Sequence, residues 1–187
     1  MGEPRQKQRN KERGMLSLEA CVSVMAFLLL MLLVAGLFRM FMAQNATAHA
    51  ALQTAQSLSL DAYAAKNVGN GDLESVGGLL GGLFGWGNND DFSSYDDWYS
   101  DAPDVPLESA IKTRFVAYLT GGDAEAADAM LERLNVADGL DGIDFSKSHV
   151  TSGILYVVLS YQLEYDFKLG ELGEIEVVQE ASSKLWK

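Results

Sequence analysis

The sequence has one cysteine, Cys21, and two histidines, His49 and His149, among 187 residues. A single thiol excludes an intrachain disulfide and any metal site built from several cysteines. Cys21 lies in an apolar run, where it reads as a small hydrophobe, with lipidation as the alternative. His49 falls on a helix-forming stretch and His149 near a strand end, neither in a recognisable motif. No nucleophile with a base and no convergent carboxylate pair is visible, so no catalytic residue, metal site or cofactor is assigned and the chain reads as non-enzymatic. Internal repeats are missing too. The acidic stretches "NNDDFSSYDDWYSDAPD" and "DGLDGID" offer oxygen ligands without the spacing of a calcium loop, and read as solvated acidic loops. Asn45-Ala-Thr fits a glycosylation sequon formally.

Charge balance is also lacking, and unevenly so. The net charge is −12, yet residues 1–42 carry six bases against three acids, a balance of +3. The remaining eight bases and 23 acids give the rest of the chain −15. Such an acidic remainder excludes nucleic acid as a partner, because phosphates are repelled rather than neutralised. Between the two parts, Ala20 to Phe38 is a run of 19 uncharged residues. At about 1.5 Å per helical residue it crosses a hydrocarbon core of about 30 Å. Five Lys or Arg precede the run within fourteen residues, so the positive-inside rule puts the N-terminus in the cytoplasm and the acidic bulk outside. A cleaved secretory signal is the competing reading. The run exceeds the usual apolar region, and no small-x-small site ends it before Arg39.

Downstream, "MFMAQNATAHAALQTAQSLSLDAYAAK" has neither Gly nor Pro before Gly69 and continues the membrane helix outward. Ala51, Ala55, Leu58 and Ala62 recur at spacings of three and four, a small-residue stripe suited to close packing on a sheet or helix. Glycines, acids and aromatics then break the helix. Leu79, Leu80, Leu83, Phe84 and Trp86 sit in a glycine background, as a loop tucked on the core or an exposed apolar patch. Asp104 and Pro106 mark a helix start, and Leu107, Ile111, Phe115 and Leu119 repeat every four residues up to Gly121. Asp123 opens a second short helix with Ala127, Met130, Leu131 and Leu134 on its apolar side. In the last third the period changes to two. Leu155, Val157, Leu159, Tyr161, Leu163, Tyr165 and Phe167 share one face of a strand, and Ser160, Gln162, Glu164 and Asp166 the other. "KLGELGE" turns this strand back into "IEVVQEASSKLW", and "IDFSKSHV" supplies a third strand of an antiparallel meander.

Glu19 stands out against this plan, because a carboxylate at the head of a membrane span is expensive and implies a partner or a processing step. Gly14-Met15-Leu16-Ser17-Leu18-Glu19 follows a basic leader, with Glu19 as the fifth residue after the glycine. This pattern resembles a prepilin signal, and "GMLSLEACVSVMAFLLL" resembles the TadE-like family of tight-adherence pilus assembly proteins. "SYQLEYDF" followed by "GEIEVVQEASSKLW" is similar to the C-terminal strands and late Trp of that family. The resemblance spans about residues 10–65 and 154–187. Met25 stands where many members carry a proline, which leaves the helix straighter. The resemblance implies cleavage between Gly14 and Met15 by a membrane prepilin peptidase, with Glu19 an assembly residue and other pilus or pseudopilus subunits as partners. Cleavage would leave an amine on Met15, which Glu19 of a neighbouring subunit could neutralise. The alternative for Glu19 is a side chain that snorkels from the end of the span to water.

The expected fold is α+β and pilin-like: a long N-terminal helix, comprising membrane span and extension, packed on a small antiparallel meander with two short helices. The expected organisation is a cytoplasmic basic leader (1–14), a transmembrane helix in membrane lipid (15–42), a helix extension (43–68), a Gly/Asp-rich irregular loop (69–103) and an extracytoplasmic α+β domain (104–187). The expected role is a minor pilin or pseudopilin-like component, single-pass in the cell membrane. The alternative is a single-pass membrane protein with an extracellular binding domain unrelated to pili.

Overall fold

A computed structural model describes residues 3–67, 98–99, 103–164 and 174–185. The chain divides into two compact units, Met1–Phe38 and Arg39–Lys187. The first unit is helical: α1 runs Glu3–Asn67 without interruption, beginning here and continuing into the second unit. Its continuity past Met25 agrees with the absence of a proline there, whose missing N–H and ring clash would interrupt the helix.

The second unit contains the remainder of α1, α2 (Leu107–Thr120), α3 (Ala124–Arg133), and strands β1 (His149–Thr151), β2 (Ile154–Glu164) and β3 (Glu174–Lys184). The sheet is antiparallel with order β1-β2-β3. A long helix, a small open antiparallel sheet and two short helices are thus the observed architecture.

On β2, Leu155, Val157, Leu159, Tyr161 and Leu163 are all buried, as the two-residue period requires. Tyr165, Asp166, Phe167, the turn after them and Trp186 lie outside the described residues, as do Leu79, Leu80, Leu83, Phe84 and Trp86. Trp98, late in the expected irregular loop, is buried in the core. The opposite face of β2 is less wet than the pattern suggests, because Val158 and Ser160 are also buried.

α2 starts at Leu107 with Pro106 as the N-cap residue and no side-chain cap bond, so Asp104 does not cap it. Ile111 and Phe115 are fully buried, while Leu107 and Leu119 are partly so. Gly121 ends the helix at φ 76°, a left-handed geometry that glycine adopts without a Cβ penalty. Asp123 caps α3 by accepting from the Ala126 N–H at 3.0 Å. Ala127 and Leu131 of α3 are buried, and Phe115 meets Phe145 edge-on at 5.3 Å between ring centroids.

The third strand is shorter than its sequence suggests. Of residues 143–150, which the sequence offers as a third strand, only His149 and Val150 belong to β1 (His149–Thr151), and Asp144 pairs with Ser160 as an isolated bridge. Side chains replace the backbone between them. Ser148 Oγ donates to the Val158 carbonyl at 3.0 Å and accepts the Val158 N–H at 2.9 Å. Asp144 Oδ1 accepts from the Ser146 N–H at 2.8 Å, which closes a local turn, and the Ser146 hydroxyl together with that N–H holds its carboxyl below the usual range.

The fold yields a direct test with the full chain in detergent micelles. Leu159→Asp places an unpaired charge in the core and is expected to cost several kcal/mol. Gln162→Asp, on an exposed site opposite Glu176 of β3, is expected to cost at most about 1 kcal/mol from the like charge across the strands. Thermal unfolding of the two variants measures the difference.

Candidate functional site

Two places on α1 carry polar groups where the helix would otherwise be apolar. The first is the head of the long hydrophobic run. Met15, Leu18 and Glu19 are exposed, as is Cys21. Between Arg13 and Arg39, Glu19 is the sole Asp, Glu, Lys, Arg or His. The run beyond it exposes large apolar side chains on every side, including Met25, Phe27, Leu28, Leu29 and Leu30 at 55–67%. A helix apolar all round has no stripe to bury on a domain and needs a wholly apolar surrounding. Among the described residues it is the one helix long and apolar enough to cross a membrane. Gly14 and Met15 lie inside α1. Their peptide bond is therefore helical, and a protease that takes an extended backbone must first unwind this turn. Glycine weakens a helix interior by about 1 kcal/mol, so α1 is locally easier to unwind at Gly14.

The second place, within the Arg39–Lys187 unit, is the buried side of α1, which meets both the sheet and α2. Ala43, Ala50, Ala51, Ala55, Leu58 and Ala62 are buried there, and Thr47, Thr54, Ser57 and Ser59 are buried with them. Thr47 Oγ lies 2.9 Å from the Tyr161 hydroxyl and 2.9 Å from Gln179 Oε1. Gln179 Nε2 donates to the Gln44 carbonyl at 3.0 Å, joining β3 to the helix backbone. Burial raises the Tyr161 phenol pKa against the smaller opposing effect of the Thr47 bond. Ser59 Oγ donates to the Lys184 carbonyl at 2.5 Å and fixes the far end of β3.

A third contact reaches α2. Arg114 is 5% exposed; its Nη1 donates to Ser57 Oγ at 2.5 Å and its Nη2 forms an ion pair with Asp61. Burial raises the Asp61 carboxyl above its usual value, outweighing the attraction and hydrogen bond of Arg114. A buried ion pair therefore orients α2 without adding much net stability. Sequence reasoning found the alanine stripe and missed these polar residues. Their signal was present: Thr47, Thr54, Ser57 and Asp61 follow the same three-and-four spacing as the alanines.

The remaining candidates are dispersed. His49 is exposed beside Gln53, and His149 stacks on Tyr156 with ring centroids 5.0 Å apart while Nδ1 donates to the Lys147 carbonyl. Asn45 is exposed and its amide donates to the Phe41 carbonyl at 3.1 Å. In "DGLDGID", Asp141 pairs with Lys112 at 3.0 Å and Asp144 closes its turn. The carboxylate of Asp128 on α3 accepts the Leu140 N–H at 2.8 Å and occupies the space a Cβ on Gly139 would need. These acids organise loops. Among the described residues no group of three or more His, Cys, Asp or Glu is placed to hold a metal.

No family model, curated protein or solved structure matches the chain. A single long apolar N-terminal helix, consistent with a membrane anchor, and a small α+β domain are what the chain itself displays.

Two experiments probe the helix–sheet face. Thr47→Val removes the hydroxyl shared by Tyr161 and Gln179 and is expected to cost about 1–3 kcal/mol. Thr54→Val removes a buried hydroxyl that has no hydrogen-bond partner among the described residues, and is expected to be neutral or stabilising. Chemical denaturation of both variants separates the roles.

Arg114→Met, which strands the Asp61 charge, is expected to cost about 3–5 kcal/mol, and Asp61→Leu in the same chain should restore most of it. Asp61 also sets a pH dependence. With its folded pKa raised, protonation favours the native state, so its contribution is full below the ordinary value near 3.8 and is lost as pH rises through the raised value. Unfolding measured from pH 3.5 upward should show a fall relative to Asp61→Asn across that window.

Proposed function

We propose that the protein is a non-enzymatic minor pilin or pseudopilin-like subunit of a tight-adherence type pilus or related secretion system. The observation that carries this reading is Glu19, a lone exposed charge at the head of an apolar helix, five residues beyond Gly14. In this reading the basic leader stays in the cytoplasm, residues 15–42 cross the cell membrane, and the acidic domain lies outside. A membrane prepilin peptidase removes residues 1–14. The new amine on Met15 is a cation at the edge of hydrocarbon, and Glu19 of a neighbouring subunit neutralises it there. Helices that are apolar all round can exchange lipid for one another at little cost, because lipid tails and leucine side chains are equally apolar. The amine–carboxylate pair then supplies the register that apolar packing alone does not. The rest of the subunit supports this role by fixing the helix extension on its sheet through Thr47 and Ser59 and on α2 through Arg114.

Two substitutions test the proposal in the native host. Gly14→Val should block leader removal, so that mature N-terminal sequencing finds Met1 instead of Met15. Glu19→Gln keeps the length and shape of the helix and removes its charge. Its leader should still be cut, while crosslinking to other pilus subunits in intact membranes should be lost, since an uncompensated buried charge costs about 3–5 kcal/mol. Native-like crosslinking of a correctly processed Glu19→Gln chain would sink the assembly role. It would favour instead a single-pass protein with an outer binding domain, in which Glu19 snorkels to water.

A further inference from the structure

Among the described residues β3 is an outer strand of the sheet. Which of its backbone groups are unpaired follows from β2. Ser160 exchanges both backbone hydrogen bonds with Asp144, the Gln162 carbonyl accepts from Ala137, and the Glu164 N–H donates to Asn135. Even-numbered residues of β2 therefore direct their N–H and C=O toward the β1 side, and odd-numbered ones toward β3. The register sets Leu159 opposite Gln179 and Tyr161 opposite Val177. Odd-numbered residues of β3 thus bond β2, while Glu176, Val178 and Glu180 direct their N–H and C=O away from the sheet.

Side chains alternate with the same period of two. The side chain of Gln179 reaches α1, so those of Glu174, Glu176, Val178 and Glu180 lie on the opposite face. All four are exposed, and Val178 is 56% exposed, one of the largest apolar exposures outside the long helix. The edge is closed at one end, where the Lys184 carbonyl accepts from Ser59. An edge unpaired among the described residues, an exposed apolar side chain at its centre and a carboxylate on either side coincide on one strand.

We propose that the edge of β3 over residues 174–182 binds an extended segment of another protein, which joins the sheet as a further strand. The segment carries Lys or Arg at two positions four apart, opposite Glu176 and Glu180, and an apolar side chain midway, opposite Val178. Main-chain hydrogen bonds supply the adhesion and the alternate side chains the selectivity. Carboxylates on an edge repel acidic strands, and the −15 charge of residues 43–187 raises the encounter rate with cationic ones. A second copy is a poorer occupant, because antiparallel pairing centred on Val178 sets Glu176 against Glu180 twice. The inference goes beyond the pilus reading and does not rest on it.

The test uses the full chain in lipid nanodiscs and the synthetic peptide STKTVTKTS, with STETVTETS as control. Titration followed by anisotropy should show saturable binding of the first peptide only, weakening with added salt. Amide exchange of Glu176, Val178 and Glu180 should slow on binding. Val178→Pro removes the central outward N–H and spares the bonds to β2, and Glu176→Lys with Glu180→Lys reverses the charge. Each change should weaken binding by about tenfold or more. The exposed glutamate pair keeps the test decisive should the proline disturb the strand. Absence of saturable binding overturns the proposal. So does binding undiminished in both variants, which would mark simple adsorption to an acidic surface. A peptide-free dimer lost in Val178→Pro would assign the edge to a second copy and overturn it equally.

Discussion

The structure of the Arg39–Lys187 unit depends on how closely α1 can approach the sheet. Alanines at 43, 50, 51, 55 and 62 are buried and add little bulk to the helix surface, so that short hydroxyl side chains beside them can reach the sheet. Thr47 meets Tyr161 and Gln179, and Ser59 meets the end of β3. Larger side chains at the alanine positions would push the helix away, and these bonds would be lost together. Close packing and hydrogen bonding are thus a single constraint, set by side-chain volume. With α1 docked, β2 is buried on its helix-facing side, α2 is oriented through Arg114, and α3 follows α2 after the Gly121–Gly122 stop.

The two ends of α1 obey opposite rules. Over residues 43–62 the helix has one buried face and one exposed face, and its polar groups are chosen for partners within the domain. Over residues 20–38 it is apolar on all sides, and its large side chains are exposed. The first arrangement is that of a domain helix, the second that of a helix surrounded by lipid or by other helices. Glu19 and Arg39 bound the second segment. Their charges mark where a helix of constant geometry leaves one surrounding and enters another.

Long periodic elements were legible in the residues because they repeat. β2 was readable from its two-residue alternation and α2 from its four-residue repeat, since burial of one face imposes those periods. The shortened β1 was not readable. Its loss of pairing follows from Ser148 and Asp144 bonding to specific backbone groups, and a serine or aspartate in sequence does not declare its acceptor. Arg114 was hidden for a related reason. An arginine within an amphipathic helix is ordinarily solvated, and its burial arises only because Ser57 and Asp61, more than fifty residues earlier, face the same gap.

By itself, the sequence determined the elements whose cause is local: a helix with 19 uncharged residues, an acidic remainder, two capped or glycine-terminated short helices and an alternating strand. Hydrophobic periodicity and charge act over a few residues, so they can be read without knowing what lies across the core. Tertiary structure decided which face of the helix extension packs on the sheet, which polar groups are paired on it, and which strand is left at the edge. Those outcomes join residues 114 to 132 positions apart, as in Thr47 with Tyr161 and Gln179. Their energy depends on distance and burial, quantities that exist only once the chain has closed on itself.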